Sequence, residues 1–497
     1  MGEPMVKEIL DEIYKKNNVR QNLSLLRQSI KNEQEKFALM YQLTGKEESM
    51  IALLEDEDAK TRKNVALLMG DLGQSVYLEP LMKAYQSETQ LFVRSSYLTA
   101  IGQMDYRKFV EEFKDQLNLL NQIELTEENK KHITTEKKTL QDLILTMEGV
   151  KKHSFTGLKN AEQMVLLTNR NHVDTVLHQL DGIPAKAFNA GVIVKTSDLK
   201  PLLELRTYKE LLFMIQGLDT CVMDIRGIAD KVTKSKLLSF LLETHEGSAP
   251  FYFRIEIKSK MELSKRSNFA KKLAAEIEQQ SKGQLLNTTS YYEIELRFIE
   301  NKEGNFNVLV KLFTIKDKRF DYRIETLPTS IKPVNAALVM ELARPYMKEE
   351  AQVLDPFCGT GTMLIERHKA VKANTTYGVD YFGEAIEKAK INTAAAHQLI
   401  HYIQRDFFDF THEYLFDEII TQMPWTIGRV TESEISELYK RFFEKAKIHL
   451  KDDGIIILYS HNKSCVESLS RFAGWKILRR FEFSAKEGTY VYVMSLK

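Results

Sequence analysis

Val353-Leu354-Asp355-Pro356-Phe357-Cys358-Gly359-Thr360-Gly361-Thr362 is the stretch that decides the fold. Two apolar residues end a strand, an aspartate stands at its tip, a tight glycine turn follows, and helix-forming residues begin at about Met363. Gly359 and Gly361 let the backbone pass close to a ligand with no Cβ in the way. A helix N-terminus behind such a turn offers free N–H groups to a carboxylate. On its own this turn would serve a dinucleotide or a phosphate equally well, so its neighbours decide.

Short apolar strands recur downstream at Thr376–Val379, His401–Ile403, Glu418–Thr421 and Gly454–Tyr459, with helical stretches between them. That alternation over residues 326–497 predicts an open parallel sheet with helices on both faces. Asp380 ends the second strand, where an acid accepts hydrogen bonds from ribose hydroxyls. Asp406 ends the third, placed to accept from an adenine amine, with Phe407 beside the ring. Glycine turn, ribose acid and adenine acid thus stand in order on three successive strands. Phe357, Cys358, Thr360, Thr362 and Tyr381 complete the expected cofactor contacts. A nicotinamide-binding fold is the rival reading, but the turn lacks the GxGxxG spacing of that fold.

At the end of the fourth strand lies Thr421-Gln422-Met423-Pro424-Trp425, on the lip where such sheets bind their ligands. It resembles the Asp/Asn-Pro-Pro-Tyr loop of amino-group methyltransferases. The resemblance implies S-adenosylmethionine (SAM) as cofactor, with Gln422 and the Met423 carbonyl accepting from the target amine. Pro424 would stiffen the loop and Trp425 would stack on the base. Gln422 stands where that family has Asn or Asp, which adds a methylene and moves the acceptor by about 1.5 Å. Gly428-Arg429 is similar to a Gly-x-Arg that follows the loop in some relatives, without the intervening residue. A mechanism of direct methyl transfer needs no metal.

Upstream, Arg319-Phe320-Asp321-Tyr322-Arg323 leads to Pro328-Thr329-Ser330-Ile331-Lys332-Pro333 and then Asn335-Ala336-Ala337. This resembles the junction between a THUMP domain and a methyltransferase domain, where an Arg-x-x-x-Arg strand end precedes Ile-Lys-Pro and an Ala-rich helix. Residues 151–325 read as mixed α/β: strands at Met164–Thr168, Gly191–Lys195, Glu210–Met214, Phe251–Ile257, Tyr292–Phe298 and Phe306–Phe313 alternate with helices, among them Lys265–Gln279. The zone is similar to a ferredoxin-like segment followed by a THUMP core. The family implied is the THUMP-containing RNA methyltransferases that modify the exocyclic amine of guanine, mostly in tRNA, with large ribosomal RNA as the alternative. Between Lys231 and Lys272 stand ten Lys or Arg and four acids, on a chain whose net charge is +1. A local basic face is the footprint of phosphate contacts, and Arg254, Lys258, Lys265, Arg266 and Arg429 are the candidate RNA contacts.

Residues 1–150 have an almost purely helical pattern. Arg62 and Arg94 are 32 residues apart, as are Gly70 and Gly102. A helical pair repeated near that period resembles HEAT-type repeats of an α-solenoid, whose concave face would take RNA or a protein; an irregular helical bundle is the alternative. The multidomain expectation is therefore a HEAT-like solenoid (1–150), a ferredoxin-like plus THUMP-like α+β zone (151–325) and a Rossmann-like methyltransferase domain (326–497).

Composition closes off other classes. Three scattered cysteines argue against a structural zinc site or a disulfide framework, and no apolar run approaches the ~18 residues of a membrane span. A cytoplasmic enzyme is expected. Two rivals differ in class: an RNA-binding protein that keeps the cofactor fold as scaffold, and a protein amine methyltransferase with its substrate on the helical repeats.

Overall fold

The computed structural model describes residues 6–148, 153–425 and 431–497. They form two compact units. One comprises 6–148 with 250–252 and 271–291; the other comprises 153–249, 253–270 and the described residues from 292 on.

The first unit is helical, with long helices at Ala59–Leu72, Leu91–Ile101 and Lys130–Glu148 among others. The 32-residue spacing has a physical basis here. A Cβ on Gly70 would lie 2.6 Å from Ala100 Cα, and one on Gly102 would lie 2.8 Å from Leu143 Cδ2. Each glycine therefore sits where a later helix comes close. Arg62 pairs with Glu88 (2.8 Å) and Arg94 with Glu136 (2.9 Å). Both arginines also donate to carbonyls of the turn before their own helix: Arg62 to Asp56 (2.8 Å), Arg94 to Glu88 (3.0 Å).

The second unit holds two large sheets and a small two-stranded one that pairs Ser154–Phe155 with His245–Glu246. In the first, strands run in the order Ala185–Phe188, Gly191–Thr196, Glu162–Leu167, Glu210–Met214, Phe306–Leu312, Ile294–Glu300, Phe251–Lys258. Helices Ile225–Lys234 and Leu237–Thr244, and the edge strand Ala185–Phe188, have no counterpart in the sequence reading. The alternation at 292–298 predicts a polar face in water, yet Glu295 and Arg297 are both buried. Charge pairing makes this tolerable: Arg297 bridges Glu295 and Glu210, and Lys311 also holds Glu210. Residues 319–323 form a turn, not the strand end expected there. The reason is local: Arg319 folds back onto Asp317 (2.7 Å) and donates to the Leu205 and Tyr208 carbonyls (both 2.9 Å).

The second sheet carries the site. Its strands are β1 (Ala351–Asp355), β2 (Ala373–Asp380), β3 (His401–Gln404), β4 (Phe416–Gln422), β5 (Leu450–Ser460), β6 (Trp475–Ser484) and β7 (Thr489–Leu496). Their order is β3-β2-β1-β4-β5-β7-β6, with β7 antiparallel to its neighbours and the others parallel. Helices α1 (Pro333–Ala343), α2 (Thr362–Ala370), α3 (Gly383–Ala395), α4 (Glu432–Lys447) and α5 (Lys463–Phe472) cover it. Two apolar cores lie on its two faces, one containing Val353 and Ile457, the other Leu354 and Ile456. Adjacent strand residues point to opposite faces, which is why these runs are apolar throughout. The last strand pair, β6–β7, was not foreseen.

Candidate active site

β1, β2 and β4 end on one lip, and the turn after β1 fills the space between them. Gly359 and Gly361 have φ of 51° and 81°, a region that side chains avoid. Cys358 N–H donates to the Val379 carbonyl (3.0 Å) and Gly361 N–H to the Cys358 carbonyl (2.9 Å), closing the turn. Tyr402 on β3 supports it from below: a Cβ on Gly361 would lie 2.2 Å from its hydroxyl. A Cβ on Gly359 would meet nothing within 4 Å, so that side of the turn is open. Asp380 accepts from Gly359 N–H (2.9 Å) and Phe382 N–H (3.0 Å), which fixes its carboxylate beside the turn.

Together these elements line a cavity of about 350 Å³, within the ~300–1,000 Å³ of small-molecule sites. Asp355, Phe357, Cys358, Gly359, Thr360, Thr362, Asp380 and Tyr381 line it, and so do Gln422, Pro424 and Trp425 of the lip loop. Leu327, Thr329, Ser330 and Ile331 form a further wall that the motif reading missed. This strap is held by Ser330 Oγ against Thr360 Oγ1 (3.1 Å) and by Asn392, which accepts from Glu325 N–H (2.8 Å) and donates to the Glu325 carbonyl (2.9 Å). The Thr329-Ser330-Ile331 motif was its only sequence signal.

Asp355 is buried. One carboxylate oxygen accepts from Phe357 N–H (3.1 Å), while Oδ2 has no partner among the described residues, and neither has Thr362 Oγ1. Burial pushes the Asp355 pKa up to about 7, and the nearby Asp380 charge adds to it. Burial also raises Asp380. A ligand that donates hydrogen bonds would pull both back down. The residues therefore fit a cofactor with hydroxyl and ammonium donors. The Cys358 thiol is raised well above its usual range by burial and is a filler, not a nucleophile.

Two expected contacts are placed elsewhere. Phe407 is buried in the core under β4, 5.8 Å from Phe357, and Phe357 is the ring that lines the cavity. Asp406 caps its own short turn, accepting from Phe408 N–H (2.9 Å), and does not line the cavity. Of the candidate RNA contacts, Arg254 is engaged internally: it pairs with buried Glu295 (2.5 Å), donates to Tyr292 Oη (2.6 Å) and lies over the Tyr292 ring. Lys258 and Lys265 are exposed and pair with partly buried Glu256 and exposed Glu262 respectively; Arg266 is partly exposed. Arg429 lies outside the described residues. Among the described residues no group of His, Cys, Asp and Glu is placed to hold a metal ion, and no helix is long and apolar enough to cross a membrane.

In the lip loop, Met423 is buried and its N–H donates to the Tyr459 carbonyl (2.9 Å), fixing the backbone. Gln422 donates its amide nitrogen to the Thr329 carbonyl (3.3 Å), which leaves Oε1 as an acceptor. Pro424 follows, and Trp425 stacks on His461. The glycine turn, the two carboxylates and this loop meet in one cavity.

Residues 321–487 match the family described as RMKL-like, methyltransferase domain. The chain has curated relatives of stated activity. A tRNA (guanine(10)-N2)-dimethyltransferase of Methanothermobacter thermautotrophicus is 31% identical over 150 residues, 29% of this chain and 42% of that protein. One of Pyrococcus abyssi is 25% identical over 193 residues, 36% of this chain and 54% of that protein. The chain thus spans about half the length of the curated relatives it matches. The structure of SMU.472 complexed with SAH (S-adenosylhomocysteine) is 14% identical, with a TM-score of 0.54 over 68% of this chain and 99% of that one. The sheet order and this likeness together make the fold that of a class I methyltransferase.

Proposed function

We propose that this protein is a SAM-dependent RNA methyltransferase that methylates the exocyclic N2 amine of a guanosine in tRNA. The observation that carries the reading is the shared cavity, in which the glycine turn and Asp380 meet Gln422, Pro424 and Trp425. The relatives named above supply the substrate class. On this reading Asp380 accepts from the ribose hydroxyls, and Asp355 and Thr362 satisfy their free oxygens on the amino-acid part of the cofactor. SAM, when bound, supplies an electrophilic methyl group. The chain's own residues do the positioning. The target guanine leaves its stack and rests on Trp425. Gln422 Oε1 and the Met423 carbonyl accept from its amine and turn the nitrogen lone pair toward the methyl group. SAM held by Asp355, Thr362 and Asp380 would supply the methyl group, and the amine would give up its proton to solvent. Most of the rate gain comes from orientation.

The extra methylene of Gln422 is accommodated by its anchor on Thr329. The ferredoxin-like and THUMP-like zone would carry the RNA on Lys258, Lys265 and Arg266, and the HEAT-like repeats would extend that footprint or bind a protein. The cytoplasm is the compartment that fits such an enzyme.

Trp425→Ala and Gln422→Ala are each expected to lower kcat on tRNA by about 100-fold, the cost of a misplaced reacting group. SAM affinity should stay within a few-fold in both. Single-turnover kinetics with labelled cofactor would show this; unchanged turnover in both variants would sink the assignment of the loop.

A further inference from the structure

The lips of β4 and β5 are joined by more than strand pairing. The Tyr439 hydroxyl on α4 lies 3.3 Å from the Pro424 carbonyl and 2.8 Å from Ser460 Oγ, and accepts from Asn462 Nδ2 (3.5 Å). It brackets His461 on both sides in the chain. The His461 ring lies 4.4 Å from the Trp425 ring and within 27° of parallel. Tyr459 meets His461 edge-on (5.6 Å, 85°), and buried Phe483 meets Tyr459 the same way (5.2 Å, 87°). A file of four rings therefore runs from the core to the cavity wall. Trp425 lines the cavity; His461 backs it from outside the lining. His461 Nδ1 is buried with no hydrogen-bond partner among the described residues, so packing rather than a polar anchor sets the ring.

We propose that His461 is a positioning residue that holds the Trp425 indole in the plane a nucleobase must adopt to reach the methyl group. This rests on the reading of Trp425 as the base platform. An indole on a lip loop turns about two side-chain torsions; a parallel ring on one face removes that freedom and leaves the other face for the base. Burial lowers the His461 pKa, and Glu487 is the charged group that opposes the shift. The ring is therefore uncharged at neutral pH, as a partner in ring stacking should be.

Two readouts test this on the full chain. A protonated imidazole quenches an indole stacked on it. The chain has two tryptophans, Trp425 and Trp475, so the emission of Trp425 is read as the difference between the natural chain and Trp425→Phe. It should fall as pH drops below the ordinary histidine range, and should not fall in His461→Phe. In kinetics, His461→Ala should lower kcat on tRNA about tenfold with KM for SAM unchanged, and His461→Phe should restore most of it. The quench shows that the two rings stack in solution; a merely structural role would not give a lower kcat at unchanged KM for SAM together with rescue by a ring. If the natural chain methylates no RNA, the functional reading fails whatever the emission shows. If it methylates RNA but His461→Ala turns over normally, or no pH-dependent quench exists, only the positioning role fails.

Discussion

Glu418→Ala is expected to lower the unfolding temperature of the unit that holds the β1–β7 sheet by on the order of 10 °C, a loss of ~3–5 kcal/mol. Glu418 on β4 and Arg367 on α2 are both fully buried and pair through two bonds of 2.7 and 2.8 Å. Arg367 also donates to the Lys348 carbonyl (2.7 Å), and Glu418 accepts from Lys348 N–H (2.8 Å). Alanine would strand a guanidinium in the core with no counter-charge. The same bond pins the helix after the glycine turn to the strand that ends in Gln422, so SAM affinity should fall along with stability. The double variant Arg367→Met/Glu418→Leu removes both charges and should recover most of the loss. Thermal unfolding followed by near-UV circular dichroism decides it. A double variant as unstable as the single one would mean that shape, not charge, matters at this site.

The second large effect is on the cofactor. Gly361→Ala should weaken SAM binding about 100-fold. Alanine at positive φ costs ~1–3 kcal/mol, and its Cβ would lie 2.2 Å from the Tyr402 hydroxyl. That hydroxyl shares a 2.7 Å hydrogen bond with Thr393 Oγ1, so it does not swing away freely. Tyr402→Phe removes the clashing atom and leaves the backbone strain. Gly361→Ala/Tyr402→Phe should therefore regain part of the affinity, while Tyr402→Phe alone binds nearly as the natural chain does. Calorimetry on the four proteins separates the two causes; a double variant no better than Gly361→Ala would remove Tyr402 from the explanation.

The residues that share the cavity were legible because their signals are local. A strand, a glycine turn and a helix adjoin in sequence, and acids at strand tips keep their place in any sheet of this order. Asp355, Gly359, Asp380 and the loop from Gln422 to Trp425 all follow from that. What was not legible depends on contacts distant in sequence. Phe357 and Phe407 both follow strand tips and both pack against Phe442, yet only Phe357 lines the cavity while Phe407 is buried, a difference set by neighbours distant in sequence. Asp406 gives one oxygen to the Phe408 N–H of its own turn, a local bond that short acidic side chains commonly find, and lies off the cavity lining. Arg254 counted toward a basic face, but its partner Glu295 lies 41 residues away on the neighbouring strand. The strap at 327–331 carries a junction motif that says nothing of the cavity, and the ring at His461 carries none; they reach the site because α3 and β5 put them there.

Gly70 and Gly102 show the opposite case. A spacing of 32 residues between glycines was visible without its cause, and the close approaches at Ala100 and Leu143 supply that cause.

Incubation of the full chain with radiolabelled SAM and total tRNA, followed by digestion to nucleosides, tests the central claim most directly. The account predicts label in an N2-methylguanosine peak, lost in Trp425→Ala. Label on another base, or on protein alone, would contradict it.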